Sequence, residues 1–125
     1  MRKLMIGQLL MYSALAACSR ATAAVPDAND DLDCAVITYQ FLEESQGRVD
    51  ERHEEAVRAV ASWYAAKMQK RAEASGKTME EVLMPGAKLL AAVQRNPRAF
   101  RTISRACAHR ATEDPHFDEF VVGQR

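Results

Sequence analysis

Three cysteines and a short row of basic side chains are the residues of this 125-residue chain best suited to chemistry. Thiols can be acylated, oxidised or bound to metal. Guanidinium groups hold anions. Cys18 follows Leu15-Ala16-Ala17, the setting of an acylated cysteine in a bacterial lipobox. Cys34 and Cys107 are then left as a pair, and in an oxidising compartment two such thiols form a disulfide, the alternative being two buried free thiols. Closing the long loop between them would stabilise the fold by about 4 kcal/mol on the chain-entropy model. With both thiols tied up, neither is expected to act as a nucleophile or metal ligand.

The basic row is Arg98, Arg101, Arg105 and His109. At helical periodicity these fall on one side, opposite Phe100, Ile103 and Cys107. Such a stripe can bind a lipid phosphate, a peptidoglycan carboxylate or an acidic protein surface. Its plainer reading is a solvated face partly neutralised by acids elsewhere in the chain. Other settings are incomplete. His53-Glu54-Glu55-Ala56-Val57 begins like a zinc-protease signature, but Val57 stands where the second histidine is required. Trp63, Tyr64 and Met68 sit at core spacing, with Lys67 and Arg71 at the edge of that face. No serine or carboxylate pair has a catalytic setting, so the expectation is no enzyme, no cofactor and no metal.

The compartment is read from the start of the chain. Arg2 and Lys3 precede a mostly apolar run from Leu4 to Ala17, the layout of an export signal and too short for a stable membrane span. Two processing routes stand open. Small residues at Ala21-Thr22-Ala23-Ala24 fit ordinary cleavage, which makes residues 1–24 a signal peptide. The lipobox reading instead makes 1–17 a lipoprotein signal and 18–31 a polar tether, with Ser19 after Cys18 resembling the pattern of lipoproteins sent to the outer membrane. Either route predicts a periplasmic or secreted protein, held to a membrane only if Cys18 is lipidated.

The elements that must position these residues read as helices. Asp30 or Asp31 opens a helix that runs to Ser45, with Cys34, Ile37, Phe41 and Leu42 as its apolar spacing and Gln46-Gly47 as its stop. Asp50 caps a second helix that ends near Ala74, before Gly76, with the stripe His53, Ala56, Val57, Val60, Trp63, Tyr64 and Met68. Thr78-Met79-Glu80-Glu81 is a capping box for a short helix that Pro85-Gly86 ends or kinks. Leu89, Leu90 and Val93 mark a further segment, and Asn96-Pro97 restarts the chain into a helix reaching Ala111. The prediction is an all-α, single-domain bundle of four to five helices over residues 32–111, its first and last helices joined by the disulfide. Residues 112–125 are expected as a loosely packed tail from which Phe117, Phe120 and Val121 could dock.

Charge is segregated along the chain. Asp27–Glu55 carries ten acids against Arg48 and Arg52, whereas Arg58–Arg110 carries eleven bases against Glu73, Glu80 and Glu81. The chain from Val25 onward has more acids than bases, which argues against nucleic acid as a partner.

Asp33-Cys34 followed by Phe41-Leu42, an aromatic-bearing middle helix, and Arg105-Ala106-Cys107 late in the chain give a layout that resembles the small one-disulfide periplasmic chaperones of acid stress, the HdeA/HdeB type. The resemblance implies a helical fold closed by one disulfide and a chaperone activity switched on by acid. The residues themselves point first to a non-enzymatic envelope protein that binds a protein or an envelope component, with the acid-activated chaperone as the alternative.

Overall fold

The computed structural model describes residues 25–125, and the segment read as an export signal, with Cys18, lies outside them. The described chain forms six α-helices without a strand: α1 (Asp31–Ser45), α2 (Glu51–Ser75), α3 (Met79–Leu83), α4 (Ala87–Arg95), α5 (Arg101–Glu113) and α6 (Phe117–Gly123). A 3₁₀ turn, Met84–Gly86, joins α3 to α4, and another, Pro97–Phe100, leads into α5. Pro85 therefore separates two α-helices through a single tight turn.

Local chemistry sets most of the boundaries. The Asp30 carboxylate accepts from the Asp33 amide and opens α1. The Asp50 carboxylate accepts from the His53 amide and opens α2. Thr78 and Glu81 form the full reciprocal capping box ahead of α3. Gly76 ends α2 at φ 66°, a left-handed conformation that favours glycine. Asn96 makes no side-chain cap, so the Asn-Pro restart yields a 3₁₀ turn before the α-helix begins at Arg101.

α1 and α2 form the main helical hairpin, and α1 is its most enclosed member. Five consecutive residues, Cys34 to Thr38, are buried, which departs from the one-sided stripe expected of α1. The reason is that α1 has neighbours on two sides. Cys34 and Ala35 join Val60, Tyr64, Met68, Ala72, Val82, Cys107, Ala111 and Phe117 in one core cluster. Val36 and Ile37 join Leu89 and Val93 of α4 in a second. At the crossing of the 3₁₀ turn over α1, Gly86 is buried, and a β-carbon there would meet Val36 Cγ2 at 2.7 Å.

The disulfide Cys34–Cys107 forms, with both cysteines fully buried and their α-carbons 5.6 Å apart. It joins α1 to α5, which is followed by one more helix. The segment expected as a loose tail packs instead. α5 continues to Glu113, and α6 buries Phe117 and sets Phe117 and Phe120 edge-on to Trp63, with ring centroids 5.6 and 5.4 Å away. These contacts offset the ordering entropy that made a free tail the simpler expectation. No described helix is long and apolar enough to cross a membrane.

Candidate functional site

The expected stripe of α2 divides in two. Val60, Tyr64 and Met68 are buried with Ala61 and Ala72, while His53 and Ala56 are exposed and Val57 is half-buried. The stripe continues there into a broad, open groove of about 1760 Å³.

One wall of the groove is the α1–α2 hairpin end, with Phe41, Val49, Ala56 and Val57 as apolar surface. The other wall is α5 and the turn before it. At 100° per residue, positions 101, 105, 108 and 112 fall within one narrow arc of α5. Arg101, Arg105, Ala108 and Thr112 accordingly line the groove, while Cys107 and Ala111 are buried in the core. α6 adds Phe117, Asp118, Phe120 and Val121.

The lining is strongly cationic. Arg48, Arg52 and Arg58 belong to the hairpin wall and Arg98, Arg101 and Arg105 to the opposite wall, with Arg125 also on the lining. The carboxylates among them are Glu44, Glu55 and Asp118. Among the described residues, only Arg58 of these arginines is ion-paired, to Glu54 one turn earlier at 3.2 Å. A cleft lined by one sign of charge focuses potential and raises the local concentration of anions. Arg98 and Arg101 also lie at the positive end of the α5 dipole, whose first turn holds no acid. Placing cations there costs on the order of 0.3–1 kcal/mol, an expense the fold carries without any visible structural return.

Three of the four residues read as a basic row thus meet on this groove. His109 does not, because eight residues of helix carry it about 80° around α5 from Arg101. Its Nε2 lies 2.9 Å from Glu113 Oε1, an exposed pair of the kind that contributes little. Arg98 is part of the 3₁₀ turn, so it reaches the lining through that turn and not through a continuous helix. Arg48, Arg52 and Arg58 carried no site signal in the sequence. They join the groove only because α2 turns back beside α5.

A second constellation surrounds the disulfide. Arg110 Nη2 lies 2.8 Å from Asp31 Oδ1 and 3.6 Å from Cys34 Sγ, and its guanidinium stands 5.2 Å from the Tyr64 ring centroid. Tyr64 donates its hydroxyl to the Cys107 carbonyl, and burial above all pushes its pKa up. Shielded Asp31 Oδ1 and Arg110 Nε have no aligned hydrogen-bond partner, so the Asp31–Arg110 pair is held by charge more than by geometry. The signal for it was present: an acid three residues before one cysteine and a base three residues after the other, each one helical turn away. The other ion pairs of the described residues join side chains three or four positions apart, so the partial neutralisation expected of the basic face by acids elsewhere in the chain is limited to this one pair, at Arg110.

The described residues contain no group of three or more His, Cys, Asp or Glu side chains placed to hold a metal ion. His53 is exposed at the start of α2, and Glu54 is engaged with Arg58. Comparison with protein-family models, with curated proteins and with solved structures finds no match to this chain.

Proposed function

We propose that this protein is an exported, non-enzymatic component of the cell envelope that works by binding a protein or envelope component in the groove between α2 and α5. The export signal motivates the location, and lipidation at Cys18 would tether the domain to the outer membrane. The observation that carries the binding reading is the arginine lining beside apolar side chains of the hairpin wall, with Arg98, Arg101 and Arg105 lacking carboxylate partners among the described residues. Cations kept together without partners repel one another, so their shared placement favours an external anion.

The test is charge reversal. Arg98→Glu, Arg101→Glu and Arg105→Glu combined change exposed side chains, so the melting temperature should stay near the wild-type value. Partners fixed chemically to the wild-type protein in intact cells should be lost from the variant. Retained partners with the reversed charges would reject the groove as the binding surface.

A second reading has one observation in its favour. The Asp31–Arg110 pair is the sole ion pair between separate helices among the described residues, and it stands beside the disulfide. Protonation of the chain's many carboxylates at low pH would leave its arginines and lysines unopposed and open apolar surface, as an acid-activated chaperone requires. Near-UV circular dichroism and apolar-dye binding that stay constant from pH 7 to about pH 2 would contradict this reading.

A further inference from the structure

We infer that the occupant of the groove is an acidic amphipathic helix presented by a partner protein, an inference that rests on the groove being the binding surface. Size argues first. A groove of about 1760 Å³ exceeds the roughly 300–1,000 Å³ typical of small-ligand pockets. It is an open trough, which suits a chain segment better than an enclosed small molecule. Helix-in-groove recognition needs an apolar floor for positions i, i+3, i+4 and i+7, and flanking charge to fix orientation. Val49, Ala56 and Val57 supply apolar surface on the hairpin wall, and Arg52, Arg101 and Arg105 supply flanking charge from opposite walls.

The chain itself shows what these walls accept. α6, Phe117–Gly123, is a short acidic helix that turns Phe117, Phe120 and Val121 inward and leaves Asp118 and Glu119 exposed. It packs its aromatic face on Trp63 of α2. It is only seven residues long, and its Phe117, Phe120 and Val121 line the groove together with Ala56 and Val57 of α2. An incoming helix of the same pattern would extend this packing over Ala56 and Val57 and bring carboxylates to arginines on both sides.

The direct probe is a synthetic peptide of about 14 residues, four helical turns, that repeats the α6 pattern of Phe and Val on one face with Asp and Glu elsewhere. It is titrated by calorimetry into the protein as purified from the envelope. Controls are the same peptide with lysine at every acidic position, and vesicles of phosphatidylglycerol. Saturable binding of the acidic peptide is expected, weakened about tenfold or more by Arg101→Glu with Arg105→Glu, and weakened also by salt. The lysine peptide should not bind. No binding of the acidic peptide at about 1 mM, equal binding of the lysine peptide, or binding of vesicles alone would overturn the inference. Failure here is distinguishable from failure of the groove itself. If charge reversal still removes partners fixed in cells, the binding surface stands and only the helical, acidic nature of its occupant falls.

Discussion

The two halves of α2 differ in what lies opposite them. From Val60 to Ala72 the helix is closed in by α1, α3 and α5, and its inward residues Tyr64 and Met68 are fully buried. From Arg52 to Ala59 the same helix, with a similar alanine-rich composition, faces the groove. The two halves also differ in sequence, since residues 52–59 carry Val57 as their one large apolar side chain while residues 60–72 carry Val60, Trp63, Tyr64 and Met68. α5 covers the apolar half, pinned at Cys107 by the disulfide and by the Tyr64 hydroxyl. One end of the described chain holds the buried core, and the other leaves an open, arginine-lined surface.

The largest expected effect lies at the closed end. Replacing Cys34 and Cys107 together by serine reopens a loop spanning a sequence separation of 73 and should cost about 4 kcal/mol. Urea unfolding of the oxidised wild type against the variant measures it, and a loss below about 1 kcal/mol would show that the bridge does not anchor the fold. Next, Met68→Ala should cost about 3 kcal/mol, since the side chain is fully buried. Val57→Ala, three turns earlier on the same helix, should cost less than about 1 kcal/mol because it faces the groove. Equal losses would erase the difference between the two halves.

Gly86→Ala should destabilise by about 1–3 kcal/mol, since its β-carbon would press on a buried Val36 methyl that has little room to move. A neutral result in a thermal melt would mean that the 3₁₀ turn lies further from α1. The smallest effect concerns Asp33. Burial, opposed in part by the Asp27 amide and reinforced by the Asp30 and Asp27 carboxylates, raises its pKa above the ordinary 3.8. The folded state therefore holds that proton more tightly than the unfolded chain, and the charged carboxylate penalises folding at neutral pH. The penalty fades as pH falls through the raised value and is gone below about 3.8. Asp33→Asn should gain under about 0.5 kcal/mol at pH 7, after allowance for solvent screening, and that gain should vanish near pH 3. A gain that grows on acidification would reverse the sign of this account.

The sequence disclosed the elements better than their arrangement. Asp50, Gly76, Thr78 and Glu81 mark helix ends by bonds made within a few residues, so they could be read locally. The pairing of Cys34 with Cys107 was legible from cysteine number once Cys18 was set aside. The full burial of Cys34 to Thr38 was not, because it depends on α4 and α5 covering a second side of α1. Phe117, Phe120 and Val121 have helical spacing, yet Pro115 and the surrounding acids favoured a tail until Trp63 supplied a partner. The groove was half legible. Arg101 and Arg105 share a helix face by periodicity, whereas Arg48 and Arg52 come from a region far away in the chain and meet them only through tertiary packing.

The most direct measurement uses one helix as its own control. A photo-crosslinking amino acid is placed in living cells at Ala56, on the groove, or at Lys70, an exposed position of α2 outside it. A discrete adduct from Ala56 that disappears with the combined Arg98→Glu, Arg101→Glu and Arg105→Glu substitutions, and no such adduct from Lys70, is the predicted result. The same adduct from both positions, or none from Ala56, would contradict the claim that the arginine-lined groove is where this protein binds.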